Sequence, residues 1–119
     1  MRHGKKYLKL NRGTAHRMSM LDNMVASVIE HGAIVTTVSK AKALRPYLER
    51  VLTKVKNNLN SLDVRREIVA QIGRDFIVAK LYNDVIKSIA NRNGGYTRIT
   101  KICQRKADGA VMAKIELID

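Results

Sequence analysis

Hydrophobic positions in the first third of the chain recur at helical spacing. They follow three- and four-residue steps from Met20 to Ile29, with Thr14 as the expected N-cap and Gly32 as the expected end of the helix. The β-branched run from Ile34 to Val38 comes directly afterwards and is typical of a short strand. The pattern therefore predicts an amphipathic helix that leads straight into a strand.

Three more helical segments follow this strand. The first carries an apolar stripe from Ala41 to Val55, with Ser39 as the expected N-cap, and Pro46 inside the stripe predicts a kink or a late start. The second is expected over Asp63–Gly73, with Asp63 as its N-cap. The third is expected over Asp75–Asn91.

The end of the chain alternates between apolar and polar residues. Tyr96–Ile102 and Ala110–Ile118 are therefore predicted as strands, and Ala107–Gly109 supplies the residues of a turn between them. A two-stranded hairpin is marginal by itself, so the strand at Ile34–Val38 is its natural third member. This order of elements predicts an α+β fold, with a small three-stranded mixed sheet packed against several helices.

The beginning of the chain lacks such periodicity. We expect residues 1–13 to form a basic extended tail and residues 14–119 to form a single α+β globular domain. Hydrophobic residues make up 45% of the 119 residues, which is enough for one packed core.

Net charge is the property in which this chain departs most from an ordinary globular protein. The chain has 23 Lys+Arg against 10 Asp+Glu, a net charge of +13, and this self-repulsion disfavours the compact state. The simplest reason to carry it is a partner rich in phosphate. Nucleic acid is the first candidate, an anionic membrane surface is the second, and a solvated basic surface without a partner is the third.

The cations concentrate in two stretches without acidic residues, residues 1–17 and residues 85–107. Those of the first stretch are Arg2, Lys5, Lys6, Lys9, Arg12 and Arg17. Those of the second are Lys87, Arg92, Arg98, Lys101, Arg105 and Lys106. Two such stretches around a balanced middle weaken the interpretation as merely solvated tails or loops.

Catalysis has little support in the sequence. His16, Ser19 and Asp22 suggest a hydrolase triad, but side chains on one helix cannot all reach a substrate atom beside an oxyanion hole. Cys103 is expected to be a small buried hydrophobe, and one cysteine with three scattered histidines excludes an internal disulfide framework and argues against a zinc site. We therefore expect no catalytic residue, no metal, no cofactor and no small-molecule substrate.

The location of the protein can also be predicted. No apolar run approaches the roughly 18 residues of a membrane span, and the basic N-terminus lacks the apolar stretch of a signal peptide. Together with a free thiol, these features indicate a reducing cytosol.

RNA suits the basic stretches better than DNA does. Charge spread over a tail, a loop and a helix end fits an irregular RNA surface better than one DNA groove. The chain also lacks helix-turn-helix spacing and an aromatic-rich RNA-recognition signature. A small basic RNA-binding protein is therefore the leading hypothesis, and a DNA-binding architectural protein is the alternative.

Each expected contact residue has a chemical reason. Lysines and arginines bind phosphates, polar side chains can bond phosphate or 2′-hydroxyl oxygens, and Gly94 and Gly95 have no Cβ to keep a ligand away. Tyr96 is open either to base stacking or to packing in the core, on the same strand face as Arg98. The expected RNA-binding residues are Arg2, His3, Lys5, Lys6, Lys9, Asn11, Arg12, Thr14, His16, Arg17, Lys40, Lys42, Arg45, Arg92, Gly94, Gly95, Tyr96, Thr97 and Arg98.

Short motifs spread over the whole chain add a family resemblance. They are Met1-Arg2-His3, Leu10-Asn11-Arg12, His16-Arg17, Thr36-Thr37, Lys40-Ala41-Lys42-Ala43-Leu44-Arg45, Arg65-Arg66, Ile77 to Asn83, Gly94-Gly95-Tyr96-Thr97-Arg98-Ile99 and Met112 to Asp119. In this order and spacing they closely resemble the L-seventeen family of bacterial large-subunit ribosomal proteins, although Lys101–Asp108 departs from the usual family pattern.

The resemblance implies a structural component of the large ribosomal subunit in the cytoplasm, without catalytic activity. Its partners would be large-subunit rRNA, near the peptide exit region, and neighbouring large-subunit ribosomal proteins, with no membrane. The motifs carried over place rRNA contacts in the tail, at His16-Arg17, from Lys40 to Arg45 and from Gly94 to Arg98.

Overall fold

Helices and a small sheet enclose a shared core in the part of the chain that the computed structural model describes, His3 and residues 9–118. The helices are α1 (Thr14–His31), α2 (Val38–Asn57), α3 (Leu62–Ile72), α4 (Asp75–Lys80) and α5 (Ile86–Ile89), and a π-helical turn, Leu81–Val85, joins the last two. The strands are β1 (Ala33–Thr37), β2 (Thr97–Gln104) and β3 (Val111–Leu117). The α+β class and the C-terminal hairpin are confirmed.

The sheet is antiparallel throughout, and the expectation of a mixed sheet is wrong. Its order is β1-β3-β2, and both edge strands pair antiparallel with β3. The helices between β1 and β2 return the chain so that the edge strands run in the same direction. Because β3 lies between them, no parallel pair forms.

One face of the sheet meets the helices. Ile115 of β3 lies opposite Ile34 of β1 and Ile99 of β2, and its side chain is fully buried. The apolar stripes of α1 and α2 complete this core, including the fully buried Val25 and Leu44. Burial of such side chains contributes about 1.5–3 kcal/mol each, so the two stripes read from the sequence stabilise the fold.

The N-caps of α1, α2 and α3 lie slightly earlier than expected. The N-caps are Gly13, Thr37 and Ser61, one or two residues before the expected Thr14, Ser39 and Asp63. Thr37 ends β1 and its hydroxyl accepts a hydrogen bond from the Lys40 amide at 3.4 Å, so Val38 is already helical. A cap needs extended backbone, and the end of a strand supplies it at Thr37.

Pro46 neither delays nor ends α2, which begins at Val38 and continues to Asn57. The proline has no amide hydrogen, so the carbonyl of Lys42 lacks its usual helical donor. Pro46 is exposed, and water can therefore solvate that carbonyl. The buried stripe on the opposite side holds the helix together through the interruption.

The π-helical turn determines which side of the following helix, α5, faces the core. The Ile86 amide bonds the carbonyl of Leu81, five residues back, so this turn holds one extra residue. Each residue of an α-helix turns by about 100°, and the extra one offsets the phase by that amount. Ile86 and Ile89 thereby join Ile77 on the buried side.

A polar cluster ties α1, α2 and α3 together. The Tyr47 hydroxyl donates to Asp22 Oδ1, and Gln71 Nε2 donates to the same oxygen and to the Tyr47 hydroxyl, both at 2.9 Å. Burial, followed by the hydrogen bond to Asp22, raises the pKa of Tyr47 from 10.0 to about 12. The sequence periodicity gave no sign of this cluster.

A second tyrosine lacks such partners. Within the described residues, the buried hydroxyl of Tyr82 has no hydrogen-bond partner, while the Arg65 guanidinium lies 4.7 Å from the centre of the ring. Burial raises the pKa of Tyr82. The Tyr47 hydroxyl therefore has hydrogen-bond partners, whereas the Tyr82 hydroxyl has none among the described residues.

Candidate nucleic-acid interface

Residues 9–12 of the N-terminal basic stretch form a tight turn rather than extended chain. The Arg12 amide bonds the Lys9 carbonyl at 3.1 Å, and Leu10 and Asn11 between them have φ of 56° and 54°. Two consecutive left-handed residues define a type I′ turn, which is strained for a residue such as leucine. The expected extended tail over residues 1–13 therefore contains a turn at residues 9–12.

Arginine side chains hold this turn against α1. Arg12 Nη1 lies 3.1 Å from Met20 Sδ, and Arg17 Nη1 donates to the Arg12 carbonyl at 3.5 Å. Arg12 also lines a shallow groove of about 400 Å³ along α1, together with His16, Ser19, Met20, Asn23, Met24 and Ser27. The exposed predicted contact residues between positions 9 and 17 are Lys9, Asn11, Thr14 and His16.

Other residues of the predicted tail are less informative. His3 is exposed, whereas Arg2, Lys5 and Lys6 lie outside the described residues. Among the described residues, Lys9, Asn11 and His16 form no hydrogen bond or ion pair with α2 or with the segment around the two glycines. The N-terminal group is thus a patch of its own.

The second patch lies along one flank of α2. Lys42, Arg45, Glu49 and Lys56 are spaced by three, four and seven residues, which places them on the same side of the helix. Arg45 Nε lies 3.8 Å from Glu49 Oε1. Lys40 precedes Lys42 by two residues and therefore points to nearly the opposite side, where it is half-buried.

Glu49 connects this flank to the start of β2. The Thr97 hydroxyl donates to Glu49 Oε1 at 2.9 Å, so the same carboxylate faces Arg45 and β2. Arg98, the next residue, is exposed on the outer face of the sheet, 4.0 Å from Glu116. The structure therefore brings two sequence-distant groups of predicted contacts, one on α2 and one on β2, side by side.

Lys56 positions the glycine loop. Its ammonium group bonds the Arg92 carbonyl and lies 5.6 Å from the centre of the Tyr96 ring. Gly94 and Gly95 are exposed, the space beside both is open, and Gly95 has φ of 64°. The loop therefore presents bare backbone to the surroundings.

Two predicted contact residues face inward instead. Tyr96 and Thr97 are each only 2% exposed, so neither side chain can reach a nucleic acid in this structure. Strand β2 begins at Thr97, so the alternation that grouped Tyr96 with Arg98 does not extend back to the tyrosine. Of the two roles open to Tyr96, the structure shows core packing.

Sequence reasoning missed Glu49 and Lys56. Neither residue lies in a stretch without acidic residues, and the negative charge of Glu49 gives no indication that it belongs to a basic patch. The signal available was their spacing from Lys42 and Arg45 along one helix flank. That spacing indicates a shared side, but the contacts with Thr97 and Arg92 depend on tertiary structure.

Other chemistries find no site in the described part of the chain. Asp22 is engaged by Tyr47 and Gln71, so the arrangement does not support the triad with His16 and Ser19. Within residues 9–118 and His3, no group of three or more His, Cys, Asp or Glu side chains could hold a metal ion. None of the helices formed by these residues is long and apolar enough to cross a membrane.

Known proteins are similar to this chain in sequence. The family described as Ribosomal protein L17 matches residues 20–118. The Large ribosomal subunit protein bL17 of Flavobacterium johnsoniae is 47% identical over 119 residues, which cover 100% of this chain and 72% of that protein. The proteins of the same name from Mesorhizobium japonicum and Porphyromonas gingivalis are 45% and 48% identical, again over 100% of this chain and over 82% and 73% of their own lengths. With a basic surface spread over a tail turn, a helix flank and a glycine loop, and with similarity along its whole length, the chain belongs to the ribosomal protein L17 family.

Proposed function

We propose that this chain binds large-subunit rRNA as a structural constituent of the large ribosomal subunit and thereby supports translation. Its other partners would be neighbouring large-subunit proteins, and its role would be structural rather than catalytic. The relatives are named as large ribosomal subunit proteins. The observation that carries the RNA contact is the patch formed by Lys42, Arg45, Gly94, Gly95 and Arg98, called here the α2–loop patch.

The geometry of the α2–loop patch suits a phosphate backbone. Lys42 is exposed and, among the described residues, has no carboxylate partner. Arg45 and Arg98 pair with Glu49 and Glu116 only at 3.8 and 4.0 Å, and such exposed pairs contribute little. Their guanidinium groups can therefore exchange these contacts for phosphate oxygens at small cost.

The N-terminal patch supports the same function by different means. Lys9, Asn11 and His16 present one cation and two hydrogen-bonding side chains at the surface, beside a turn that Arg12 and Arg17 hold. Arg2, Lys5 and Lys6 precede this turn in the sequence and would extend the contact. Two patches of this kind fit an irregular folded RNA better than a single groove.

A salt titration tests the proposal directly. Binding to a transcript of large-subunit rRNA should weaken by about 10³- to 10⁵-fold between 50 and 200 mM salt if about six to ten phosphates are contacted. Affinity that does not change over this range would contradict the proposal. Competition with duplex DNA separates the alternative, because an architectural DNA-binding protein would prefer the duplex.

Assembly provides an independent measurement. The tagged chain should co-sediment with large ribosomal subunits in its cells. Substitution of Lys42 and Arg45 by alanine should reduce this incorporation, whereas substitution of the exposed Arg66 and Arg74, which removes the same charge outside both basic stretches, should not. Absence of the unmodified chain from large subunits would overturn the assignment.

A further inference from the structure

The far half of the β2–β3 hairpin is exposed along β2 and at the turn. Every residue from Thr100 to Gly109 is exposed, whereas Thr97 and Ile115 at the other end of the hairpin are buried. Cys103 belongs to this exposed half, so its expected burial is wrong. We call residues 100–111 the distal ribbon.

The tip of the distal ribbon is held in one conformation. Arg105 Nε and Nη2 donate to the two carboxylate oxygens of Asp108 at 2.9 and 2.6 Å, and Asp108 Oδ1 also accepts from the Ala110 amide at 3.2 Å. The Arg105 amide bonds the Ala110 carbonyl at 2.7 Å, and the Gly109 amide bonds the Arg105 carbonyl at 2.8 Å. Beyond Cys103 the hairpin has only two strands, because β1 pairs with β3 only from Met112 to Glu116. A two-stranded ribbon is marginal in water, so these bonds are what keeps the tip in a defined shape that a partner can recognise.

The charge on the distal ribbon identifies the kind of partner. Its cations are Lys101, Arg105 and Lys106, and its single acidic residue, Asp108, is already paired with Arg105. Among the described residues, Lys101 and Lys106 have no carboxylate partner. A surface with free ammonium groups and no free carboxylate complements a polyanion.

The edge of β2 argues against strand addition by a neighbouring protein. The pairing of β2 with β3 shifts between Lys101 and Cys103, which places a bulge at Ile102. Bulges twist an edge strand away from further pairing. Ile102 is 52% exposed between these residues, and its side chain is available to a ribose or base face.

We infer that the distal ribbon is a further RNA-docking element, in which Lys101 and Lys106 bind phosphates and Ile102 packs against the sugar or base surface between them. This inference rests on the proposed rRNA binding and adds a contact separate from the α2–loop patch and the N-terminal patch. The Arg105–Asp108 pair holds the turn that carries Lys106.

A matched pair of charge variants tests the ribbon. The double variant Lys101→Ala, Lys106→Ala is compared with Arg66→Ala, Arg74→Ala, which removes equal charge from exposed positions outside both basic stretches. A lost phosphate contact lowers affinity by about 5- to 8-fold at 100 mM salt, so the ribbon variant should bind the rRNA transcript about 25- to 60-fold more weakly, with a salt dependence reduced by about 1.4–1.8 in slope. The control should change far less. Equal losses in both variants, or none in either, would overturn the ribbon proposal.

The only cysteine of the chain provides a second readout without altering the ribbon. An iron chelate attached to Cys103 should cleave bound rRNA at discrete positions by hydroxyl radicals. In a Cys103→Ser background, Ser39→Cys beside Lys40 serves as a reference position close to a predicted contact. Cleavage from Ser39→Cys but not from Cys103 would refute the ribbon and leave the proposed function standing.

Two further outcomes separate the ribbon proposal from a failure of the proposed function and from a contact with a protein. No binding of the unmodified chain to rRNA would overturn the proposed function and the ribbon proposal with it. A bifunctional reagent on Cys103 that links to a neighbouring protein in assembled large subunits, instead of to rRNA, would assign the ribbon to a protein contact. Circular dichroism of each variant, expected to be unchanged, shows that the ribbon substitutions leave the helices folded.

Discussion

The hydroxyl of Thr97 donates a hydrogen bond to Glu49, 2.9 Å away, and this bond joins β2 to the flank of α2. Thr97 is almost fully buried, and Glu49 also faces the guanidinium of Arg45. One carboxylate thus fixes the relative position of two cationic elements. The α2–loop patch consequently depends on a contact between residues that lie 48 positions apart.

Substitution of Thr97 by valine should loosen this connection. Valine keeps the shape but cannot donate to Glu49, so the free energy of unfolding should fall by about 1–3 kcal/mol. Urea denaturation measures the change. Thr100→Val, an exposed position on the same strand, should stay within about 0.5 kcal/mol, and equal effects at both positions would show that the buried bond contributes nothing.

The two tyrosines should respond oppositely to removal of their hydroxyls. Tyr47→Phe leaves Asp22 and Gln71 without a shared partner and should destabilise the fold by about 1–2 kcal/mol. Tyr82→Phe removes a buried hydroxyl that has no partner among the described residues, so it should be neutral or stabilising. Thermal denaturation of both variants provides the comparison, and a larger loss for Tyr82→Phe would contradict it.

The raised pKa of Tyr47 makes stability depend on pH in the alkaline range. The folded pKa of about 12 exceeds the ordinary value of 10.0, so the unfolded chain releases its proton first. The stabilisation that the protonated Tyr47 hydroxyl contributes is complete below pH 10 and is lost as the pH rises toward 12. The difference in unfolding free energy between the unmodified chain and Tyr47→Phe should therefore shrink over this interval, and a constant difference would exclude the assignment.

Alanine substitutions of Gly94 and Gly95 should differ in their effects on fold stability and on RNA affinity. Gly95 has φ of 64°, so Gly95→Ala should cost about 1–2 kcal/mol of stability. Gly94 lies outside the left-handed region and has open space beside it, so Gly94→Ala should leave the fold unchanged. If RNA approaches this backbone, Gly94→Ala should nevertheless weaken binding to the rRNA transcript. Unchanged affinity would place the RNA elsewhere.

The turn at the ribbon tip should be sensitive to acid. The Arg105 guanidinium, followed by the Ala110 amide, lowers the pKa of Asp108 from 3.8 to about 2. The contribution of this carboxylate is thus present above pH 3.8 and is lost as the pH falls through 2. An NMR titration of the Asp108 carboxyl carbon measures the midpoint, and Arg105→Gln should return it toward the ordinary value. An ordinary midpoint in the unmodified chain would show that the pair does not form.

Much of the fold follows from local pattern. The stripe from Ala41 to Val55 corresponds to the buried face of α2, because three- and four-residue spacing leaves no other way to bury it. Strand boundaries were accurate to one or two residues. The helix caps were less so, since Ser39 and Thr37 have equal capping chemistry and only the end of β1 selects between them.

The sequence was sufficient to predict the exposure of the cationic residues of the candidate site, because a charged side chain without a buried partner stays in contact with solvent. Lys42, Arg45 and Arg98 are exposed, as their type and setting suggested. Tyr96 was ambiguous because an aromatic side chain suits both a core and a base-stacking surface, and the contact with Lys56 that covers its ring comes from a distant helix. Sequence spacing cannot reveal such a contact.

The π-helical turn at Leu81–Val85 also affects how this chain can vary in length. It holds one residue more than an α-helix needs to connect the same two ends. A gene that lost the codon of the exposed Asn83 would convert the turn to ordinary helix while Ile86 and Ile89 kept their orientation. The same loss one turn earlier, with the π-helical turn kept, would rotate both by about 100° out of the core. Natural length polymorphism in this helix is therefore expected to concentrate at a single place.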